Sequence, residues 1–478
     1  MATNLFEHVR ELENTSDLLQ FKVPGYDFLL WPIIRYPVFN RCLYQSGIEE
    51  LGVSGKTDPP PSALAKYAGL LAALPRFFRP WPSRQTTTAI YLDRKEEAFY
   101  RQWQGKLYNP YIEPFAEALP SATAILDNSP GPRLLPLDKP YHIRGIRHAT
   151  LVAAKLKRLR DKRACSKDFY RFWDFVRARI KAVLHFDLPE PFYKRLEERT
   201  TDFACNYTVA EYHVFKKYLK KLRPGLLLVD EALYGNKGHL MVLARELGIT
   251  TADIQHGAIF SSHANYTWSD ALVADERFRA QYPDYFLTYG QFWHSQIRLP
   301  GTEPVPIGNP WFSMQVEGRE KSEAAQNAVL FTLGALYDEY IPFVRALRHA
   351  IPKNTPLVLR PHPLVDISKY ALFREAGISV DTSPTIYDAF DMADVVIGDI
   401  STGLFEAAAL GKRVFSYAIT QSDGAPIPFE KFTTPEELVE KVLSSDAGVI
   451  SSSLREAFFA ADWKNNYIHF ISSLPQKI

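Results

Sequence analysis

The sequence has 478 residues, 46% apolar and 23% charged, the balance of a globular protein and not of a disordered or fibrous chain. At roughly 150 residues per domain, this length suggests about three domains, or two large ones with an extension. Its 56 basic and 54 acidic side chains leave a formal charge of +2, which excludes the basic excess of a protein that coats nucleic acid.

The three cysteines, Cys42, Cys165 and Cys205, are far apart and odd in number. Neither a disulfide framework nor a cysteine-based zinc site is expected, and a reducing cytosol fits best. Met1 to Arg10 has no basic region followed by an apolar core, so no targeting segment is expected. The most apolar run, Tyr67 to Leu74, is under half of the roughly 20 residues that span a bilayer. The expectation is a cytoplasmic protein that could still lie on the inner membrane face.

In chain order, residues 1–84 read as a mainly helical N-terminal extension. Leu5 to Leu19 has helical spacing, and Leu29 to Leu43 is a long apolar and aromatic run. The stretch Asp58-Pro59-Pro60-Pro61 and the Pro-rich segment from Pro75 to Pro82 interrupt any helix.

From Thr86 short apolar runs alternate with helical patterns. Strands are predicted at Ala89–Leu92, Leu226–Val229 and Thr250–Ile254, with a helix at Gly238–Leu247 between the last two. A second series predicts strands at Ala328–Thr332, Leu357–Leu359, Ile378–Val380, Val395–Gly398 and Val414–Tyr417. Helical patterns at Tyr340–Ala350, Lys369–Ala376, Thr385–Asp391 and Thr402–Leu410 separate them. This is the rhythm of parallel βαβ units. The expected fold is α/β: two Rossmann-like, doubly wound domains facing a cleft, at residues 85–300 and 301–452. Gly301 to Gln326 is the expected hinge. A final helix, Ser453–Ile471 within 453–478, is expected to pack back on the first domain.

Ligands of doubly wound sheets bind beyond the carboxyl ends of the strands, so polar residues directly after strands are the candidates. Asp230-Glu231 follow an apolar strand. Two acids there are costly unless they serve something: a general base, a nucleophile, or a charge complementing a helix dipole. His256, between Gln255 and Gly257, also follows a strand. Arg360-Pro361-His362-Pro363 offers a planar fork of donors and an imidazole held between prolines, suited to phosphate. Gly398-Asp399-Ile400-Ser401-Thr402-Gly403 opens a helix, whose free N–H groups with Ser401 and Thr402 make a phosphate seat or a plain N-cap. Glu406 shares a helix face with Thr402 and is a candidate for ribose hydroxyls. Gly334 leaves room for a phosphate. Arg101 and Lys106 could contact an anionic substrate but read first as surface charge, and His263, Tyr266 and Trp268 could stack on a sugar but read first as core.

No Asp-x-Asp, His-x-x-x-His or paired Cys is present, so no dedicated metal site is expected. A dinucleotide fingerprint, a P-loop and a Gly-x-Ser-x-Gly elbow are absent too, against nicotinamide chemistry, ATP hydrolysis and serine hydrolysis. One basic run, Lys155, Lys157, Arg158, Arg160, Lys162 and Arg163, is interleaved with Leu151, Leu156 and Leu159. It reads as a solvated helix face or as a contact for acidic head groups. Arg76 to Trp81 could add an interfacial anchor.

From about Thr86 to the C-terminus these segments resemble, in order, the GT-B glycosyltransferases of bacterial surface polysaccharide assembly. The residues carrying the resemblance are Gln255-His256-Gly257, Asp284–Gly290, Ile307-Gly308-Asn309-Pro310, Arg360–Pro363 and Asp399–Thr402. Leu30-Trp31-Pro32 loosely resembles capsule proteins. The His-Pro and Ser-Thr pair is similar to the motifs with which bacterial sialyltransferases and Kdo transferases hold a CMP-sugar. The resemblance therefore implies His362, Pro363, Ser401 and Thr402 as donor-binding residues, joined by Arg360, Glu406 and Gly334. The acidic motif of the sialyltransferases ends in Gly, and Asp230-Glu231-Ala232 departs from it. Similarity to retaining β-Kdo transferases implies Asp230 or Glu231 as nucleophile and His256 as a neighbouring acid or phosphate contact. CDP-alditol phosphotransferases are similar through Arg360–His362 and Asp399–Thr402.

The implied activity is glycosyl transfer from a cytidine-activated donor, CMP-Kdo first, to a surface glycan or glycolipid, with no cofactor or metal. The alternatives are alditol-phosphate transfer, an ordinary UDP- or GDP-sugar transferase, a nucleotide-sugar epimerase, and a non-catalytic glycan- or lipid-binding subunit. The implied partners are the donor, the acceptor and the inner membrane surface, with no nucleic acid.

Overall fold

The computed structural model describes residues 9–14, 16–45, 87–92, 100–128, 141–143, 145–160, 166–184, 187–261, 263–319, 328–333, 337–362, 367–375, 377–399, 401–418, 427–443 and 447–475. The Pro-rich breaks, the Arg76–Trp81 segment, Lys162, Arg163, Gly334 and Pro363 lie outside them.

The strands are β1 (Thr88–Leu92), β2 (Arg101–Trp103), β3 (Lys106–Tyr108), β4 (Thr123–Asp127), β5 (Tyr141–Ile143), β6 (Leu226–Val229), β7 (Thr250–Ile254), β8 (Tyr285–Thr288) and β9 (Glu303–Pro306) in the first half. The second half holds β10 (Ala328–Thr332), β11 (Leu357–Arg360), β12 (Ser379–Val380), β13 (Ala393–Gly398), β14 (Arg413–Tyr417) and β15 (Glu430–Phe432). Among the described residues they form a seven-stranded sheet, β5-β4-β1-β6-β7-β8-β9, a six-stranded sheet, β12-β11-β10-β13-β14-β15, and the hairpin β2-β3. Every pairing within the two large sheets is parallel. Each order runs outward from the first strand and then reverses, the doubly wound plan. The fold is thus α/β with two Rossmann-like domains, the GT-B plan.

Central strands such as β6 and β10 are buried at every residue, which is why they read as uninterrupted apolar runs. Within the two large sheets the strands not predicted, β4, β5, β8, β9 and β15, include both edges of the first and one of the second, and the β2-β3 hairpin was not predicted either. In β9, Pro304 and Pro306 mask the strand signal. An edge tolerates them because one side of its ladder is free. The predicted hinge holds β9 and the helix Pro310–Val316, which Asn309 caps by accepting from Phe312 N–H at 3.1 Å.

The described part of the N-terminal region is built into the first domain rather than appended to it. Trp31, Ile34 and Val38 of the helix Trp31–Gln45 join the main hydrophobic core. Arg35 pairs with buried Glu13, donates to the Thr267 carbonyl at 2.9 Å and lies 3.8 Å over the Trp268 ring. The indole of Trp31 donates to Glu13 at 2.8 Å. A buried ion pair needs such a full set of partners, and only the folded first domain supplies them.

The expected final helix is two helices, Ser452–Phe458 and Trp463–Ser473. The break falls where Asp462 adopts a left-handed conformation at φ 55°. The first helix packs beside Thr402–Ala409, where Phe458 lies 5.1 Å from Phe405. The second crosses to the first domain, where Phe115 contacts Trp463 and Tyr467 at 5.9 and 4.9 Å.

Cys205 is buried and disulfide-bonded, contrary to the sequence expectation. Pairing depends on distance in the fold, which sequence spacing does not give.

Candidate active site

The reversal of strand order opens a crevice between β1 and β6 in the first domain and between β10 and β13 in the second. Such a crevice is where ligands enter. Asp230 and Glu231 follow β6 directly, and Gly398 to Thr402 follow from β13, so both predicted clusters stand at these points.

Asp230 is buried, and Glu231 holds a left-handed backbone at φ 61° and ψ 29°. That conformation is costly for a residue with a side chain, and such strain clusters at functional sites. A tight turn, Ala232–Tyr234, comes next. It is anchored from below by Asp253 of β7, whose carboxylate accepts from Leu233 N–H at 2.9 Å and Ile254 N–H at 2.7 Å. Burial pushes the Asp253 carboxyl well up, and the neighbouring Asp230 charge pushes it further. Sequence reasoning missed Asp253, because it is an inward residue within a strand and not a residue after one.

The Tyr234 hydroxyl lies 3.2 Å from His256 Nε2, and the two rings are 5.7 Å apart. Tyr111 meets the same imidazole edge-on at 6.3 Å, and Tyr36 supports Tyr234 at 5.3 Å. Aromatic walls of this kind fix a ring's orientation. Beneath them His263 is held down to about 4 by burial and then by the charges of His256 and Arg35. Tyr266 and Trp268 are core residues, as read from the sequence.

In the second domain, Gly398 packs against β10 so closely that a Cβ there would lie 2.3 Å from Thr332 Oγ1. Ser401 is the extended N-cap of Thr402–Ala409, makes no capping bond, and has a buried hydroxyl oxygen without a hydrogen-bond partner. Its neighbour Thr402 accepts at Oγ1 from the Ala258 N–H at 2.8 Å. The loop carrying His256 in one domain therefore touches the helix start carrying Ser401 and Thr402 in the other.

Glu406 is 8% exposed, and burial lifts its carboxyl to about 7, while Tyr387 and the charge of Arg101 pull it down. Tyr387 sits on Ile386–Met392, whose start is fixed by a capping box between Thr385 and Asp388. The Tyr111 and Tyr289 phenols bear electrostatically on Tyr387 too, so phenols of both domains converge near Glu406. His362 is half-buried, and its pKa is lowered by desolvation and then by Arg101. The Arg101 charge therefore bears on both His362 and Glu406 of the opposite domain. It is carried by the β2–β3 hairpin, whose Trp103 and Tyr108 lean on Trp311 at 5.5 and 6.2 Å. Arg360 is turned toward the sheet edge, where it pairs with Asp381 and donates to the Ser383 carbonyl at 2.8 Å.

The structure brings Thr402 against the His256 loop, and the charge of one arginine, Arg101, acts on both His362 and Glu406. It directs Arg360 into an ion pair within its own domain. Chemically, the arrangement offers a carboxylate pair on one wall. On the other it offers a half-buried imidazole and a helix N-terminus with a spare hydroxyl, both suited to an anion. Among the described residues no group of three or more His, Cys, Asp or Glu side chains is placed to hold a metal ion. No described helix is long and apolar enough to cross a membrane.

No known protein family matches the sequence, and no curated protein matches it. Among solved structures, a glycotransferase of kitacinnamycin is 14% identical with a TM-score of 0.44, covering 82% of this chain and 100% of that one. A variant of the wall teichoic acid polymerase TagF is 10% identical with a TM-score of 0.43, covering 87% and 98%. A putative UDP-N-acetylglucosamine 2-epimerase from Listeria monocytogenes is 11% identical with a TM-score of 0.46, covering 82% and 100%. These likenesses are distant, and the assignment of the fold rests on the strand orders above.

Proposed function

We propose that the protein is a cytoplasmic glycosyltransferase that moves a sugar from a cytidine-activated donor, CMP-Kdo first among candidates, to a growing bacterial surface polysaccharide or glycolipid. The observation that supports this reading is the 2.8 Å contact between Ala258 N–H and Thr402 Oγ1, which joins the loop after β7 in the acid-bearing domain to the helix start proposed to bind the donor. In this reading Ser401, Thr402, His362 and Arg101 meet the donor phosphate, and Glu406 takes the ribose hydroxyls. Asp230 or Glu231 attacks the anomeric carbon as its bond to the phosphate oxygen breaks, and CMP leaves with the bonding pair. An acceptor hydroxyl then displaces the carboxylate, giving up its proton to a base in the crevice. His256 stands beside that exchange. The donors at the phosphate are preorganised, so developing charge is met without reorganisation.

Calorimetric titration of CMP, CDP, UDP and GDP into the full chain and into His362→Ala tests the assignment. CMP is expected to bind tightest and to lose at least tenfold in the variant. A preference for CDP would transfer the reading to alditol-phosphate transfer, and a preference for UDP or GDP would overturn the cytidine assignment. No binding of any nucleotide would remove the enzymatic reading.

A further inference from the structure

Asp253 is a buried acid that the proposed transfer leaves without a part. It lies on β7, beside the strand that leads into Asp230, and is 2% exposed. Its Oδ2 accepts from Leu233 N–H at 2.9 Å and its Oδ1 from Ile254 N–H at 2.7 Å. Within the turn after Asp230, the Tyr234 N–H bonds the Glu231 carbonyl and the Gly235 N–H that of Ala232, both at 3.2 Å. The Leu233 N–H between them is tied across to β7 by Asp253. Three residues beyond Asp253, His256 Nε2 meets the Tyr234 hydroxyl at 3.2 Å. Two rungs therefore join the loop of the acids to the loop of the imidazole. A carboxyl offers an acceptor to both N–H groups, whereas an asparagine would turn its own NH2 against one of them. Burying that carboxyl is costly: burial, and then the Asp230 charge, push it well up. Costs of this kind gather at working sites.

We infer that Asp253 is a positioning residue, which ties the acidic turn to the strand leading to His256 and so fixes where Asp230 and Glu231 stand; this rests on the proposed transfer, in which one of those acids meets the anomeric carbon. The left-handed backbone of Glu231 is unfavourable for a residue with a side chain. Released at Leu233, the turn is expected to relax toward the broader allowed regions and to swing both carboxyls. Asp253 touches no substrate in this role. Its effect falls on the reacting geometry and not on nucleotide binding, whose proposed residues His362, Ser401, Thr402 and Glu406 belong to the second domain.

Release of CMP from CMP-Kdo by the full chain, with water taking the place of the acceptor hydroxyl, tests it alongside calorimetric binding of CMP. Asp253→Asn keeps the shape of the side chain and one acceptor oxygen. It is expected to lower kcat by about tenfold to a hundredfold, the usual effect of a small misplacement of reacting groups, while KM for CMP-Kdo and the Kd of CMP stay within about twofold. Asp253→Ala, which leaves both N–H groups without an acceptor, is expected to lose more. If it does not fold, the Asn variant carries the test. A lower melting temperature with kcat unchanged per folded molecule assigns Asp253 a structural role and overturns the inference. A loss confined to KM, or equal losses in kcat and CMP affinity, overturns it as well. A wild type that releases no CMP from CMP-Kdo overturns the donor assignment first, and the inference with it, so the two failures are told apart by the wild type alone.

Discussion

Glu231 and Glu406 are both held in states that an isolated glutamate would not adopt. The left-handed backbone of Glu231 suits glycine far better, and a side chain there costs roughly 1–2 kcal/mol. Glu231→Gly is expected to raise stability by about 1 kcal/mol in urea unfolding while lowering sugar transfer. A loss of stability would show that the Glu231 side chain holds the turn rather than serving a reaction. Glu406 departs in protonation: its carboxyl rises from 4.5 to about 7, so the folded state binds a proton more tightly than the unfolded chain. Its favourable contribution is present in full below about pH 4.5 and is lost as pH rises through about 7. At 1.36 kcal/mol per pKa unit the span is about 3 kcal/mol. Glu406→Gln, which cannot ionise, is expected to melt progressively higher than the wild type as pH goes from 5.5 to 8. A constant difference across that range would show that Glu406 is not carrying the proton.

Both crevices are built at the element scale by close approach of strand ends. Gly398 closes β13 onto β10, where a Cβ would meet Thr332 Oγ1 at 2.3 Å and the Thr332 carbonyl at 2.8 Å. Overpacking of this kind typically costs 1–3 kcal/mol. Gly398→Ala is expected to lower stability by about that amount and to weaken nucleotide binding by displacing Asp399 to Thr402. Unchanged affinity would separate this loop from the nucleotide site. The helix after the loop does two jobs. Its start carries Ser401 and Thr402, and Phe405 one turn on lies 4.7 Å from Trp293 of the first domain and 4.8 Å from Phe429 of the second. The site is therefore anchored to the domain interface.

That interface is stitched at the scale of the whole molecule by the C-terminal segment. A Cβ on Gly290 would lie 2.4 Å from the Ala457 carbonyl, and one on Gly308 would lie 2.6 Å from that of Ala460. Trp293 Nε1 donates to the Phe458 carbonyl at 2.8 Å, and the Ala460 N–H to the Tyr289 carbonyl at 2.7 Å. Gly290→Ala pushes directly on the crossing chain. It is expected to speed proteolysis between residues 457 and 463 and to enlarge the radius of gyration in small-angle scattering. A variant as compact and protease-resistant as the wild type would show that the crossing chain absorbs the added methyl locally.

The sequence by itself determined the alternation of strands and helices that builds the two parallel sheets. Strands buried on both faces are predominantly apolar, so β6 and β10 were legible as runs, and β7, β13 and β14, each with polar residues among the apolar ones, through their rhythm with the helices between them; the acids and hydroxyls after these strands were legible as candidates. It left β9 hidden, because its prolines are tolerated only at an edge, and edge position is a property of the whole sheet. Tertiary structure alone decided that Asp253 lies beneath the acidic turn, that the Arg101 charge bears on groups of the second domain, and that Arg360 is committed to Asp381. Those are relations between residues remote in sequence. The glycines of Asp284–Gly290 and Ile307–Pro310 were visible as a pattern. Their role became clear only with the C-terminal chain lying against them, since close approach leaves no trace in the local sequence beyond the missing side chain.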